Sequence, residues 1–335
     1  MSKSEPDFSI IVLFGRGQLE PCLGGLLEQT EENFEIIAVV GSEGQEAQDP
    51  RVKFLVIPDP NPAKRRNQAV AQSRGKYLAF IDDDATAPED WLTKAKKILN
   101  EYSEIPGFSG SNTWQDKMDW SEQLVDMILR DKYFGTGSEA YQKGGEPHMA
   151  RPGEAHLSNL LMRREIFNAL GGFNEKIGFG GEDSEMIYLA KRKLGKNFWC
   201  FPENFVWHKR RHFGWEFLKR NIRFRRQNGR LIWLYPEMYL WNKSLWLAFA
   251  LVAIFIGLLF IIRGWLALII FAIYYLCHYW IHGIFYLKTK KWLFVIAPFI
   301  YFLHHLSYFL GLSAGLAEGL FRGRKRLREL LGREN

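Results

Sequence analysis

The 335-residue chain has a formal net charge of +7, and its charged and hydrophobic residues, 24% and 47% of the total, are unevenly distributed. Residues 1–243 mix charged and apolar side chains as a soluble domain does, whereas residues 244–317 are nearly free of charge and rich in aromatic side chains. Much of the basic excess lies in residues 208–230 and 322–335, on both sides of the apolar stretch. This distribution indicates basic flanks of a membrane region and argues against a nucleic-acid partner.

The cysteines and the N-terminus point to a reducing compartment. Cys22, Cys200 and Cys277 lie far apart in the sequence, cannot all pair, and lack the spacing of metal ligands. Such usage is typical of a reducing environment. The first residues, Ser2 to Asp7, are polar and partly acidic, so no signal peptide is predicted.

Short apolar runs alternate with helical segments through the first part of the chain. Such alternation predicts an α/β fold with a doubly wound, mostly parallel sheet. Strands are predicted at residues 8–14, 34–40, 52–57, 77–81, 107–112, 157–162, 198–201 and 205–207. Helices are predicted at residues 21–29, 64–73, 89–102 and 163–170, and a further helix follows Gly178–Glu185 and extends to about residue 193. A flexible Gly-rich loop over a site is predicted at 133–155.

Three consecutive carboxylates, Asp82, Asp83 and Asp84, follow the predicted strand at residues 77–81. In an open α/β sheet, ligands bind beyond the carboxyl ends of the strands. Hard cations such as Mg²⁺ or Mn²⁺ take oxygen ligands and often bridge to substrate phosphates. The sequence leaves two interpretations open, a metal site and a solvated acidic turn that caps the next helix.

A second acidic pair, Glu182 and Asp183, lies where a Gly-rich turn enters a helix. A carboxylate at a helix N-terminus is stabilised by the helix dipole, so plain helix capping is one interpretation. The other interpretation is a base that takes the proton of a substrate hydroxyl.

The segment His208–Arg230 contains nine Lys or Arg residues and one acid, Glu216, with aromatic and aliphatic residues between the cations. This pattern predicts a basic amphipathic helix lying on a membrane surface. Such a helix can hold phosphate groups through Arg side chains or act only as an electrostatic anchor. The candidate phosphate- or lipid-binding residues are Arg211, Arg220, Arg223, Arg226 and Arg230.

Two apolar segments, Trp246–Ile262 and Trp265–Leu287, each have the length that a membrane span needs. A third segment, Trp292–Leu316, is interrupted by Pro298, His304 and His305 and is predicted either to span or to lie in the interface. The basic loop 288–291 favours a cytoplasmic catalytic domain by the positive-inside rule. The sequence therefore predicts a multi-pass protein of the cell membrane with that domain in the cytoplasm.

Several pieces in the same order resemble the family 2 glycosyltransferases, which have the GT-A fold. The helix from Lys64 to Ala71 and the strand with Asp82–Asp84 look like the family's DxD region, and Gly171–Glu175 with Gly180–Asp183 looks like its acceptor-side acidic motif. The basic segment that begins at Val206–His208 is similar to the segment that closes the family's catalytic domain. In the segment from Gln227, Leu231 stands where processive synthases have Trp, so a polymerase is not predicted.

The resemblance implies a role for each motif. Asp183 would be the catalytic base and Glu182 would bind the acceptor, so that the anomeric configuration inverts. Asp82, Asp84 and His208 would hold Mg²⁺ or Mn²⁺. An ordinary surface residue in a basic run is the other interpretation of His208, and it is not displaced by the resemblance. The nucleotide-sugar donor would contact Phe14, Arg66, Asn67, Asp82 and Asp83.

The predicted domains are a GT-A domain at 1–207, an interfacial segment at 208–243, transmembrane helices at 244–317 and a basic tail at 318–335. The predicted activity is transfer of a sugar from a nucleoside-diphosphate donor to a lipid-linked or membrane-proximal acceptor in envelope glycan synthesis, with membrane lipids as further partners. Two alternatives remain at this point: transfer to polyprenyl phosphate itself, and a degenerate, non-catalytic protein that binds glycan or nucleotide.

Overall fold

The computed structural model describes two compact units. The first unit comprises Met1–Asp116, Ser138–Lys209 and Leu330–Asn335, and the second comprises Lys117–Gly137 and Arg210–Glu329. The described residues are 5–15, 19–45, 47–114, 117–131, 139–141, 144–151, 153–177, 179–239, 246, 249–250, 252–254, 256–257, 269, 272–277 and 291–332.

The described strands belong to one sheet in the first unit. They are β1 (Phe8–Leu13), β2 (Phe34–Val40), β3 (Val52–Val56), β4 (Tyr77–Asp82), β5 (Ala85–Thr86), β6 (Gly107–Thr113), β7 (His148–Met149), β8 (Asn159–Arg163) and β9 (Trp199–His208).

The described helices longer than one turn are divided between the two units. They are α1 (Leu19–Leu27), α2 (Pro62–Ala71), α3 (Trp91–Glu101), α4 (Trp120–Arg130), α5 (Arg164–Ala169), α6 (Glu182–Leu194), α7 (Trp215–Leu234) and α8 (Lys291–Leu331).

The order of neighbouring strands in the sheet is β3-β2-β1-β4-β8-β6-β9-β5, and β7 pairs with β9 beside this path. Strands β3, β2, β1 and β4 are parallel, as are β6 and β9. Strand β8 runs antiparallel to both β4 and β6. The first four predicted strands are present within one residue at each end.

Alternating side chains of the central strands pack into two hydrophobic cores, one on each face of the sheet. On β1, Ile10 and Val12 belong to one core, and Ile11 belongs to the other. Because both faces are covered, the strands are continuous apolar runs, as expected for a parallel sheet between helices. Their carboxyl ends form the edge that carries the acidic motif after β4.

Two local predictions differ from the structure. The two short strands predicted at 198–201 and 205–207 form one strand, β9, which pairs with β6 in two stretches on either side of a register shift between Gly110 and Asn112. This irregularity allows the strand to continue past Pro202. The segment 133–155, predicted as a loop, contributes strand β7 from its described part.

Helix α4 in the second unit was not predicted, although the sequence carries a signal for it. Asp119 accepts a hydrogen bond from the Glu122 backbone N–H (2.8 Å), and the Glu122 carboxylate accepts one from the Asp119 N–H (3.0 Å). This capping box satisfies two backbone donors at the start of the helix. Leu124, Met127 and Ile128 of α4 then pack against apolar residues of α8.

Helices α7 and α8, also in the second unit, pack closely through glycines four residues apart on α8. A Cβ at Gly311, Gly315 or Gly319 would collide with Ile222, Arg226 or Trp233 of α7, respectively. The Trp233 indole N–H also donates to the Leu316 carbonyl (3.1 Å). Small residues at this spacing let two helix backbones approach each other.

Among the described residues, one helical stretch, Val295–Leu331, is long and apolar enough to cross a membrane. It includes most of the third predicted segment, and the helix continues past Pro298 to a break in helical geometry at Gly323. The predicted spans Trp246–Ile262 and Trp265–Leu287 lie largely outside the described residues. The number of spans therefore remains a prediction.

Candidate active site

The three consecutive acids occupy the carboxyl end of β4, next to the end of β1. Asp82 is the last residue of β4, and its neighbour in the register of β1 is Leu13. The Asp83 carboxylate accepts a hydrogen bond from the Gly15 backbone N–H (2.9 Å). Asp83 therefore fixes the turn after β1 against the end of β4, while Asp82 and Asp84 lie on either side of it in the sequence.

Strand pairing brings His208 to these acids from the far end of the unit. β5 pairs antiparallel with the end of β9, which places Ala85 opposite His208, and the Lys209 N–H donates to the Asp84 carbonyl (3.1 Å). The His208 Nε2 atom lies 3.1 Å from Asp84 Oδ1 and 3.6 Å from Asp82 Oδ2. One ligand atom of each of these three side chains lies within 4.8 Å of the others.

The chemistry of this cluster suits a divalent cation. Burial lowers the pKa of His208, but the hydrogen bonds to Asp82 and Asp84 outweigh this effect, and the pKa is raised overall. The two carboxylates thus already attract a positive charge to this position. Two carboxylate oxygens and one imidazole nitrogen can serve Mn²⁺ or Mg²⁺ with room for water or phosphate oxygens.

Helix α2 begins with three consecutive cations that have three different environments. Lys64 pairs with Asp59 at the surface (2.7 Å). Arg65 donates to the carbonyl oxygens of Phe14 (3.1 Å) and Val39 (2.9 Å), which holds α2 against the ends of β1 and β2. The predicted donor-binding residue Phe14 has its side chain in the hydrophobic core.

Arg66 connects the two acidic motifs. Its Nη1 atom donates to Glu182 Oε1 (3.2 Å), and its Nη2 atom lies 3.7 Å from Asp82 Oδ1. The Arg66 side chain is 11% exposed, so this cation is screened little by water. Sequence reasoning proposed Arg66 for donor binding but missed this bridge, because the sequence Lys-Arg-Arg does not indicate which cation faces the acids.

Glu182 and Asp183 occupy the first turn of α6, after Gly180 and Gly181, both with positive φ. Burial, followed by the charge of Asp183, raises the pKa of Glu182 to about 7. Burial also raises the pKa of Asp183, although hydrogen bonds from Ser184 oppose the effect. A carboxylate with a raised pKa is a better proton acceptor near neutral pH.

Asn67, another predicted donor-binding residue, makes contacts that position the chain before α6. Its amide oxygen accepts from the Phe173 N–H (2.8 Å), and its amide nitrogen donates to the Phe173 carbonyl (2.8 Å) and to Glu175 Oε1 (2.9 Å). Gly172 has φ +73°, and a Cβ there would lie 2.8 Å from the Asn67 amide oxygen. This glycine is therefore required by both its backbone conformation and the close approach of Asn67.

The basic residues predicted to bind phosphate or lipid, Arg211, Arg220, Arg223, Arg226 and Arg230, all belong to the second unit. Arg226 and Arg230 of α7 both pair with Glu318 of α8. Arg223 is exposed, and Arg211 and Arg220 are half-buried. A role of these five residues toward phosphate stays a prediction.

The sequence matches glycosyl transferase family 2 over residues 10–171. Among curated proteins, it is 25% identical over 174 residues to the glucosyl-dolichyl phosphate glucuronosyltransferase of Haloferax volcanii, a match that covers 49% of this chain and 54% of that protein. It is 30% identical over 152 residues to the succinoglycan biosynthesis protein ExoA of Rhizobium meliloti, covering 44% and 42% of the two chains. The matches thus span about half the length of these relatives.

Among solved structures, the mannosyltransferase PcManGT from Pyrobaculum calidifontis, in complex with GDP-Man and Mn²⁺, superposes with a TM-score of 0.61 at 16% identity. The match covers 94% of this chain and 88% of that chain. At this identity the likeness concerns the fold, and it confirms the predicted GT-A type of mostly parallel sheet with a C-terminal apolar helix. The match to the family model over residues 10–171 and the GT-A type of fold both support a family 2 glycosyltransferase.

Proposed function

We propose that this protein is an inverting glycosyltransferase that uses a nucleoside-diphosphate sugar and acts on a lipid-linked acceptor at a membrane. The proposal rests on Arg66, whose guanidinium contacts both Asp82 and Glu182. A single side chain thus joins the acids of a donor-side motif to those of an acceptor-side motif. Sugar transfer needs both groups at one centre, because the leaving diphosphate and the incoming hydroxyl meet at the same carbon.

In the proposed reaction, Asp183 takes the proton of the acceptor hydroxyl while that oxygen forms a bond to the anomeric carbon. The bond from that carbon to the donor's phosphate oxygen breaks, and the nucleoside diphosphate leaves with the electron pair. Because the hydroxyl attacks from the face opposite the leaving group, the anomeric configuration inverts. Glu182, held by Arg66, orients the acceptor, and the raised pKa of Asp183 suits proton acceptance near neutral pH.

Asp82, Asp84 and His208 would hold Mg²⁺ or Mn²⁺, and a cation there would supply positive charge against the departing diphosphate. Arg66 adds a fixed positive charge on the protein, and its low exposure strengthens its electrostatic effect. Asp83 holds the turn after β1 in place beside these groups. The donor's nucleotide part would lie over the ends of β1 and β4, where Phe14 and Asp83 are found.

The name of one relative supports a lipid-linked acceptor. One relative is named for adding glucuronic acid to glucosyl-dolichyl phosphate, and the other for succinoglycan biosynthesis. The apolar stretch Val295–Leu331 would associate with the membrane that contains such an acceptor.

We further propose several membrane spans with the first unit in the cytoplasm. Protease digestion of right-side-out and inverted vesicles tests this topology, because the first unit should be cut only in inverted vesicles.

The test of activity is a screen of donor hydrolysis and transfer by the purified full chain with Mn²⁺ or Mg²⁺. Uridine, guanosine and cytidine diphospho-sugars cover the donor classes. Asp183→Asn should lower turnover by roughly 10²–10⁴-fold, as expected for loss of a general base. Asp84→Ala should abolish the metal-dependent part of the activity.

Asp90→Asn provides the matched control, because Asp90 is a carboxylate of the same unit that pairs with Lys94 on the surface. It should keep normal activity and stability. Full activity in both Asp183→Asn and Asp84→Ala would refute the assigned roles. Binding of no donor, with or without metal, would instead favour a non-catalytic protein.

Mass spectrometry of the lipid product identifies the acceptor. A sugar added to a glycan that already carries a lipid phosphate would support the proposal. A sugar on bare polyprenyl phosphate would overturn this acceptor class while leaving the glycosyltransferase activity intact.

A further inference from the structure

A second group of metal-ligand side chains lies in the first unit, made of residues other than the strand-tip acids. It consists of His148, Glu154 and Cys200, whose candidate ligand atoms all lie within 4.8 Å of one another. We propose that these three side chains bind Zn²⁺ and that the metal fastens strand β7 and the turn after it to strand β9. The inference is independent of the proposed activity.

Strand pairing places the thiol beside the imidazole. β7 runs antiparallel to β9, and His148 is the direct partner of Cys200 in this ladder. Side chains of directly opposed residues lie on the same face of a sheet, with Cβ atoms about 4.5–5.5 Å apart. The backbone of the sheet therefore fixes the separation of these two ligands without help from the metal.

A tight turn places the carboxylate beside them. The sequence Arg151-Pro-Gly-Glu154 carries a Pro-Gly pair, and Gly153 has φ +89°, a conformation that favours glycine. The Glu154 N–H donates to the Arg151 carbonyl (2.9 Å), which closes the turn. The Arg151 N–H in turn donates to Glu154 Oε2 (2.9 Å) and so restricts the direction of the carboxylate.

The imidazole has the outer hydrogen bond that zinc-binding histidines usually have. His148 Nδ1 lies 3.1 Å from the Glu146 carbonyl oxygen, and Nε2 lies 4.0 Å from Glu154 Oε2. When Nδ1 donates its proton to that carbonyl, Nε2 presents a lone pair on the side of the ring nearer the carboxylate. This is the tautomer that a metal ligand needs.

The donor set selects zinc over the harder cations. A thiolate and an imidazole suit Zn²⁺, whereas Mg²⁺ and Mn²⁺ prefer oxygen ligands such as those of Asp82 and Asp84. Tetrahedral zinc with bonds of about 2.0–2.3 Å separates its donors by roughly 3.3–3.7 Å. Because the ligand atoms lie within 4.8 Å of one another, the side chains need to close by at most about 1.5 Å. Three protein ligands leave a fourth position for water.

The degree of burial fits a metal that stabilises the sheet and remains reachable from solvent. Cys200 is 5% exposed, whereas the side chains of His148 and Glu154 are 29% and 18% exposed. The ion can thus enter from the side of the imidazole and the carboxylate. Once bound, the ion would cross-link β7 and the turn after it to β9, whereas β7 and β9 are otherwise joined by a short ladder.

The test uses Co²⁺, which replaces Zn²⁺ and reports thiolate ligation through a ligand-to-metal charge-transfer band. The purified full-length Asp84→Ala protein, stripped of metal by a chelator, is titrated with Co²⁺ so that the strand-tip site does not contribute. We expect one equivalent of cobalt with a thiolate band, displaced by Zn²⁺. Zn²⁺ should also raise the thermal midpoint of this protein.

Variants identify the ligands. Adding Cys200→Ser to the Asp84→Ala protein should remove the thiolate band. Adding His148→Gln instead leaves the buried thiol in place and should weaken cobalt binding by more than roughly tenfold, because loss of even an outer hydrogen bond to a metal ligand costs about tenfold in affinity. Cys277→Ser and His212→Gln, at an exposed thiol and an exposed imidazole, should change neither result. A thiolate band that survives Cys200→Ser, or no band in the parent protein, would overturn the proposal.

Discussion

The two units of this protein are stabilised by contacts of different kinds. In the first unit, the candidate site depends on polar contacts between strand ends and helix starts, such as those of Arg66 with Asp82 and Glu182. In the second unit, α7 and α8 are joined by close backbone packing at glycines and by ion pairs. Substitutions in the first unit should therefore affect the chemistry, and those in the second should affect helix packing.

Among the substitutions that test this comparison, the largest effect should follow loss of the cation that joins the two acidic motifs. Arg66→Met keeps the apolar stem of the side chain but removes the charge that Asp82 and Glu182 share. We expect turnover to fall by about 10²-fold or more, as when a fixed charge-stabilising group is removed from an active site. Steady-state kinetics with the donor found in the screen would measure this loss.

Lys64→Met is the control for that variant. Lys64 is a cation of the same helix, two residues earlier, and its partner Asp59 lies outside the acidic cluster. It should retain normal turnover. Equal activity of the Arg66 and Lys64 variants would mean that the bridge between the acidic motifs has no part in the reaction.

The next effect concerns pH. Burial and the charge of Asp183 raise the pKa of Glu182 to about 7, so both carboxylates are ionised together only above neutral pH. If the reaction needs both charges, kcat/KM should fall about tenfold per pH unit below that value. Glu182→Gln removes the group that titrates at about 7, so the activity that remains should lose the acidic limb at that pH. An acidic limb that stays in place would contradict a shared titration.

Stability should respond to pH in the opposite direction. Because the pKa of Glu182 is higher in the folded protein than its ordinary value of 4.5, the folded state binds this proton more tightly than the unfolded chain. The corresponding stabilisation is complete below about pH 4.5 and is lost as the pH rises through about 7. The first unit thus gives up stability over the same interval in which it gains activity.

Features set by neighbouring residues could be predicted from the sequence better than features set by contacts between distant residues. Strand β4 was predicted because an apolar run ends in three acids within a few residues, and this prediction needs no distant contact. His208 was left between two interpretations, because only the pairing of β5 with β9 brings it to Asp84. The three cations of α2 could not be told apart, since local spacing does not reveal which one faces the acids.

The second unit and the proposed zinc site were harder to predict for the same reason. The pairs of Arg226 and Arg230 with Glu318 join residues about ninety positions apart. The basic helix was therefore interpreted as a membrane-surface element that holds phosphate groups or acts as an electrostatic anchor, without these ion pairs. The proposed partners of Cys200, His148 and Glu154, lie about fifty residues earlier in the sequence, and the β7–β9 ladder brings His148 to the thiol. Helix α4 is different, because its capping box was visible in the sequence and was overlooked.

In the second unit, the larger effect should come from a methyl group between the helices. The Cβ of Gly315→Ala would collide with the Arg226 carbonyl and lie 2.9 Å from the Gly229 Cα. The helices must move apart, which should cost about 1–3 kcal/mol of unfolding free energy. Gly24→Ala, in the open part of α1, should be neutral or slightly stabilising through its higher helix propensity. Thermal or denaturant unfolding in detergent compares the two, and equal behaviour would mean that α7 and α8 are not in close contact.

The smallest effect should come from the ion pair between the same helices. The Arg226 side chain is 49% exposed and the Glu318 side chain 19%, so water and salt weaken their attraction. A double-mutant cycle with Arg226→Gln and Glu318→Gln should give a coupling free energy of about 0.5–1 kcal/mol at low salt. Since Glu318 also pairs with Arg230, the Glu318 variant alone should cost more than the Arg226 variant. A coupling that is unchanged at high salt would show that water is excluded from the pair, and the second unit would then depend on a buried charge cluster as the first one does.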